Sequence, residues 1–488
     1  MSEFLGSIWW LIVAIGVLVT FHEFGHYWVA RRSGVKVLRF SVGFGKPLWM
    51  RRGKDGTEYV IAAIPLGGYV KMLDEREFTV PDALLPQAFN RQSVWKRIAI
   101  VIAGPIANLI LCVALFWAMF VVGRADYAPV VGHATGIAAS AGLSQGDTIL
   151  AVGDRQTPTW SEAVMALIPA ALDHADTTVR VRTVPGSEAT RELHLSRLPA
   201  SYDERRAVEV IGLTPRYLLV PALIGRVRPD TPAWGVLAEG DRITAIDGQS
   251  VTAWDDIGPR VQTLGEHGGP AMVEVDRKGE RLALEITPAR MKHPETGEGY
   301  WGLGVGAARP PEPAKDAVLR YGPLDAIPAA FRESVHQARE LFAMIGRAFT
   351  GRVSVQNTVA GPITIARAAN MSAQHGAAWF LQMLAMLSLS LGILNLLPIP
   401  ILDGGHLLYY LIELVKGSPV SERAMAAGQY VGLALIAGLM GLAFYNDIMN
   451  NLVRRCRTPA CADLLQPRLP PRPCARPRAN TTLNRTYQ

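Results

Sequence analysis

Residues 21 to 27 read Phe21-His22-Glu23-Phe24-Gly25-His26-Tyr27, and they lie inside an apolar run from Phe4 to Ala30. In that run His22, Glu23 and His26 are the only acid or base groups that matter near neutral pH. About 18 residues precede His22, enough for roughly 27 Å of helix, which is membrane-spanning length. On a helix His22 and His26 stand one turn apart on one face. Both imidazoles can then reach one Zn²⁺, while Glu23 sits beside them as a proton acceptor for the attacking water. Ionisable groups at membrane depth cost several kcal/mol and persist mainly for function.

Three further apolar runs follow: Ile98 to Gly123, with Asn108 as its one strongly polar side chain, then Ala377 to Leu402 and Ala424 to Tyr445. Trp9, Trp10, Trp28, Trp95 and Trp379 fall near their ends, where amphipathic rings favour the interface. No Lys or Arg precedes the first run, and no small-residue cleavage site follows it, so it reads as a span and not a removable leader. The connection from Arg31 to Arg97 holds 13 basic and 6 acidic residues. It is expected on the cytoplasmic side. Arg124 to Arg320 holds 21 basic and 26 acidic residues, so it is expected outside. Four spans then leave both chain ends outside.

The outer segment repeats itself. Leu143-Ser144-Gln145-Gly146-Asp147-Thr148-Ile149 recurs as Leu237-Ala238-Glu239-Gly240-Asp241-Arg242-Ile243, and Trp160 recurs as Trp254. The spacing is that of a domain, not of a solenoid. Each copy reads as a Gly-Asp turn feeding an alternating strand. The pattern resembles PDZ domains, β-domains that bind an extended peptide as an added strand. Beyond Pro310, Pro311 and Pro313, the residues Leu324, Ile327, Phe331, Val335, Ala338, Phe342, Ile345 and Phe349 recur at helical spacing. An amphipathic helix is expected, with its apolar stripe either packed on the repeats, the favoured reading, or lying on the membrane surface.

Catalytic zinc usually takes three protein ligands, so one must come from elsewhere. Asp403 is the candidate. It lies in Asn395-Leu396-Leu397-Pro398-Ile399-Pro400-Ile401-Leu402-Asp403-Gly404-Gly405-His406, where prolines and glycines interrupt a helix at membrane depth. Such interruptions are tolerated where they line a cavity. The first and third spans run in the same direction, so His22, His26 and Asp403 all approach the cytoplasmic leaflet. His406 is the rival third ligand.

An H-E-x-x-H in the first span together with a late Asn-x-x-Pro-x-Pro-x-Leu-Asp-Gly resembles the site-2 protease family of intramembrane zinc metalloproteases. The finer match is to bacterial regulator-of-sigma-E proteases, with four spans and two exterior PDZ domains. It covers about residues 1 to 450, including Gly43-Phe44-Gly45, Pro65-Leu66-Gly67-Gly68-Tyr69, Gly104-Pro105-x-x-Asn108 and Gly361-Pro362-Ile363. The resemblance implies zinc ligands His22, His26 and Asp403 and the general base Glu23. It also implies Asn395 on the substrate backbone near the metal, Pro398 and Pro400 as further substrate-binding residues, and a membrane-reentrant β region in which Gly67 and Gly68 border the substrate strand. Asn108 either packs the second span on the first or touches substrate. The implied substrates are pre-trimmed single-span proteins: an anti-sigma factor in envelope stress signalling, or signal-peptide remnants. An upstream site-1-type protease would act first, in a bacterial inner membrane with the repeats periplasmic.

The expected organisation is a polytopic α-helical membrane protein with a membrane-associated β region. Its parts are a first span 1–30, a cytoplasmic loop 31–97, a second span 98–123, PDZ-like domains 124–215 and 216–310, and an amphipathic segment 311–376. A third span 377–403, a loop 404–423, a fourth span 424–446 and a Pro/Arg-rich tail 447–488 complete it. From Arg454 the tail carries 8 basic residues and 1 acidic, and no core can form from it. The chain has 49 Lys and Arg against 42 Asp and Glu. That excess sorts by membrane side, so no nucleic-acid partner is expected. Four cysteines without paired spacing exclude a disulfide framework and zinc-finger modules.

Overall fold

A computed structural model describes residues 3–76, 79–199, 202–292, 299–308, 313–351 and 360–456. The Pro/Arg-rich tail beyond Cys456 lies outside the described residues.

The first span forms helix α1, Glu3–Arg32. A long hairpin follows, β1 Val37–Arg52 and β2 Glu58–Met72. Both strands bend and pair twice: Val42 faces Gly68 on one side and Ile61 on the other, and Pro47 faces Ala62. The hairpin is thus a four-segment sheet in the order 46–52, 58–64, 37–44, 66–72. Gly43 and Gly45, both at positive φ, make the bend in β1. Among the described residues no further strand pairs with segment 66–72, which leaves one sheet edge open beside α1.

Helix α2, Val94–Val122, is the second span. Beyond it the two repeats form matching four-stranded antiparallel sheets. The first runs Arg155–Gln156, Thr148–Val152, Thr177–Arg182, Glu188–Leu193; the second runs Gln249–Ser250, Arg242–Ile246, Ala271–Arg277, Glu280–Ile286. Each packs a longer helix on its sheet, α3 Trp160–Leu172 or α4 Ile257–His267. The repeated aspartates close their own turns: Asp147 accepts the Ser144 N–H at 3.0 Å and Asp241 the Ala238 N–H at 2.8 Å. Each repeat has its own apolar core, around Ile149, Val179 and Leu193 in one and Ile243, Val273 and Ile286 in the other.

Helix α5, Ala326–Phe349, is amphipathic, but its large apolar stripe does not pack on the repeats. Leu324 is 80% exposed, and Ile327, Phe331 and Phe342 are exposed as well. The helix docks on the spans through Ala326, Ala329, Ala330 and Ser334. Small side chains let helix axes approach closely, so this face gains more contact than the bulky stripe could. Of the two expectations for that stripe, packing on the repeats is therefore corrected.

Helix α6, Pro362–His375, precedes the third span, α7 Ala377–Asn395. The third span is shorter than the expected 377–403. Pro398 and Pro400 withhold two N–H donors, Ile401 takes a positive φ of 104°, and the chain turns before starting again as α8, Asp403–Lys416. What was expected as a loop, 404–423, is therefore mostly helix. The fourth span, α9 Glu422–Cys456, outruns its expected end at residue 446. Among the described residues, four helices are long and apolar enough to cross a membrane. The shared core lies between α1, α2 and α7, around Leu18, Leu111, Phe116, Leu384 and Leu389. Helix α9 touches the rest at few places, chiefly where Gly432 lets it rest on the Pro400 carbonyl and where Asp447 caps α6 by accepting the Ile363 N–H at 2.8 Å.

Candidate metal and catalytic centre

His22 and His26 project from one face of α1 toward the start of α8. His22 Nε2 lies 3.2 Å from Asp403 Oδ2, His26 Nε2 lies 3.5 Å from the same oxygen, and the two Nε2 atoms are 3.2 Å apart. Among the described residues outside the exposed Asp176, Glu192 and His194, these three form the one group with converging metal-ligand atoms. His406 does not join them; it lies on the next part of α8, edge-on to Tyr409.

The donor set fits a tetrahedral zinc. Bonds of about 2.0 to 2.1 Å place ligand atoms roughly 3.3 Å apart, which is the spacing found here. Asp403 Oδ2 is buried, with the two imidazole Nε2 atoms as its near polar neighbours. His26 directs Nδ1 at the Ile100 carbonyl, 2.8 Å away, so its Nδ1 carries the proton and Nε2 keeps a lone pair toward the cluster.

Two glycines make room for this. A Cβ on Gly25 would strike the Ala103 carbonyl, and one on Gly104 would strike His26 Nε2. The α1–α2 crossing at the histidines is therefore closer than any larger residue allows.

Glu23 lies beside the open sheet edge. A Cβ on Gly68 would stand 3.1 Å from Glu23 Cγ, and the Val70 N–H faces the Glu23 carboxylate. Gly67 takes φ 154° with the Phe44 ring against its α-carbon. Glu23, Gly67 and Gly68 are thus brought together with the histidines. Asn395 is half-buried at the end of α7 and makes no side-chain hydrogen bond to them; Pro398 is exposed on the turn, and Pro400 supports α9. Asn108 is fully buried, with its amide on His22. From the hairpin side a cleft of 1230 Å³ opens between β2 and α8, lined by Tyr69, Val70, Arg76, Arg97, His406 and Tyr410.

Sequence inspection did not single out Ile100, Ser388 or the Arg97–Glu413 pair. Ser388 donates to the Asn108 carbonyl at 2.8 Å, and Arg97 grips Glu413 at 2.7 Å to hold α8 against α2. A backbone carbonyl carries no sequence signal, but a glycine within H-E-x-x-H and another in Gly104-Pro105 do hint at the crossing.

Comparison with known proteins agrees with this geometry. Peptidase family M50 matches residues 10–439. A Xylella fastidiosa protein named as a zinc metalloprotease is 54% identical over 449 residues, spanning 92% of this chain and 100% of that protein. The regulator of sigma-E protease RseP of Escherichia coli K12 is 41% identical over 454 residues, covering 92% of this chain and 99% of that protein. Protease RseP of Yersinia pestis is 40% identical with the same coverage. A solved PDZ domain from Listeria innocua aligns with 19% of this chain at 21% identity and a TM-score of 0.16, too slight a likeness to bear on the fold. Four membrane-length helices and these full-length matches lead to one conclusion: the chain belongs to Peptidase family M50, the site-2 family of zinc metalloproteases.

Proposed function

We propose that this protein hydrolyses peptide bonds within the membrane-spanning segments of single-span proteins, with His22, His26 and Asp403 holding Zn²⁺ and Glu23 as the general base. The convergence of two imidazole nitrogens and one carboxylate oxygen at 3.2 to 3.5 Å, beside an open sheet edge, carries this reading. Zinc, when bound there, supplies a Lewis acid that polarises the scissile carbonyl and acidifies a water. Glu23 takes the proton from the attacking water and passes it to the leaving amide nitrogen. A helical substrate shields its peptide bonds. The open edge at Gly67 and Gly68 supports pairing with an unwound substrate segment, which holds it extended next to Glu23. Asn395 and Pro398, at the turn between α7 and α8, are proposed to border the same segment, with Pro400 fixing the turn.

The basic excess of the hairpin region supports a centre toward the cytoplasmic leaflet of a bacterial inner membrane with the repeats in the periplasm. There the repeats are read as PDZ-like. In the first, Ile211 and Leu213 are packed into the core. The second keeps a 480 Å³ cleft between α4 and Tyr300–Val305, which suits an extended chain end. The pair would admit substrates already trimmed by an upstream protease: an anti-sigma factor, as the relatives' names imply, or a signal-peptide remnant. The test is cleavage of tagged single-span substrates, with long and trimmed outer domains, by the purified protein. Equal cleavage of both would remove the size-filter role, and no cleavage of either would contradict the activity.

A further inference from the structure

We propose that Asn108 is a positioning residue for the metal centre, fixing the tautomer of His22 through its side-chain oxygen; this rests on reading His22 as a zinc ligand. Asn108 Cγ sits in a fully buried site, and one end of its amide, Nδ2, lies 3.1 Å from His22 Nδ1. The other end, Oδ1, is buried with no hydrogen-bond partner. The two ends exchange by a half-turn of the amide, and which one faces the ring is a matter of the hydrogen-bond network.

That half-turn decides what His22 presents to the cluster. With Nδ2 donating, Nδ1 must be the acceptor, and the neutral ring then carries its proton on Nε2, aimed at Asp403 and His26. With Oδ1 facing the ring, Nδ1–H donates to it and Nε2 keeps a lone pair, as a metal ligand requires. The neighbouring histidine is already arranged this way, since His26 Nδ1 faces the Ile100 carbonyl. Ile100 and Asn108 both belong to α2, two turns apart on one face, so a single helix offers one acceptor to each ring.

The backbone that carries this amide is held in place. Ser388 of α7 donates to the Asn108 backbone carbonyl at 2.8 Å, and Gly392 of α7 packs against its Cβ. The span that leads to Asp403 therefore also sets the position of the group that orients His22.

Zinc affinity of the detergent-solubilised full-length protein, measured by competition with a chromophoric chelator, tests this with Asn108→Asp and Asn108→Leu. The carboxylate of N108D accepts from Nδ1–H but cannot donate, so N108D is expected to hold zinc within a few-fold of the parent. N108L loses the acceptor and is expected to bind about 10- to 100-fold more weakly, with KM for a cleaved substrate unchanged at saturating zinc. Weak zinc binding by N108D would overturn the proposal, because the donor end would then be the one that matters. So would parental zinc affinity in N108L with a raised KM, which would move Asn108 to the substrate. A parent chain that binds no zinc would instead remove the ligand assignment beneath it.

Discussion

His22 Nε2 of the first span and Asp403 Oδ2, at the start of the helix after the third span, stand 3.2 Å apart. The two half-buried groups come from distant segments and converge on one point with His26 Nε2. A bound cation would satisfy all three atoms at once. Asp403→Ala is therefore expected to remove nearly all retained zinc, measured by elemental analysis of the purified protein. Zinc retention equal to the parent would assign Asp403 another role.

Gly104→Ala carries an expectation opposite to the usual one. In a helix interior this change ordinarily stabilises by about 0.5–1 kcal/mol. Here the new methyl would occupy the space of His26 Nε2. The variant is expected to bind zinc at least about 10-fold more weakly, read by chelator competition, because a displaced ligand weakens the site.

Gly68→Ala tests the sheet edge apart from the metal. Its Cβ would press on the Ser41 carbonyl at 2.7 Å and on Glu23 Cγ at 3.1 Å. Zinc content should match the parent while kcat/KM falls about 100-fold, since a misplacement near 1 Å at a catalytic group costs that order. Single-turnover cleavage of a defined substrate distinguishes this from loss of metal.

The outer end of α2 is fixed by a buried ion pair, Arg124 Nη2 to Glu162 Oε1 at 2.7 Å, with Arg124 0% exposed and stacked over Trp379. Glu162 also binds Arg155, which reaches Glu333 of α5. Removing Glu162 takes the shortest carboxylate contact from Arg124, which keeps Asp126 at 3.6 Å, while Arg155 keeps Glu333, so Glu162→Ala should cost about 1–3 kcal/mol, seen as early local unfolding of the first repeat by hydrogen exchange.

The same group gives a pH dependence. Burial pushes the Glu162 carboxyl up, but Arg155 and Arg124 outweigh it and hold its pKa below the usual value. A carboxyl depressed in the folded state adds stability above its unfolded pKa of about 4.3, and that stability is lost as pH falls through the folded value. Protection of the first repeat in the parent should therefore exceed that of Glu162→Gln near neutrality, and the gap should close at acid pH. A gap that widens on acidification would reverse the sign.

Much of this centre was legible in the sequence. The spacing of His22 and His26 and the polar group count of the first span point to the two histidines, and the parity of four spans points to Asp403 with His406 as its rival, because helix geometry and membrane depth leave few alternatives. The Gly-Asp turns marked both repeats through a local cap. Less legible was whatever depends on tertiary approach. The stop at Asn395 hides within a continuous apolar run, and only the prolines signal it. The stripe of α5 pointed to packing that alanines provide instead. The double pairing of β1 and β2 turns on two glycine φ angles. The burial of Arg124 and its tie to Glu162 carried no sequence signal.

The most direct measurement compares the purified parent with Glu23→Gln on one single-span substrate, with zinc content determined for both. The expected result is one zinc per chain in each and cleavage by the parent alone, at least about 100-fold faster than the variant. Equal cleavage by the two proteins, with zinc present in both, would contradict Glu23 as the general base of an intramembrane metalloprotease.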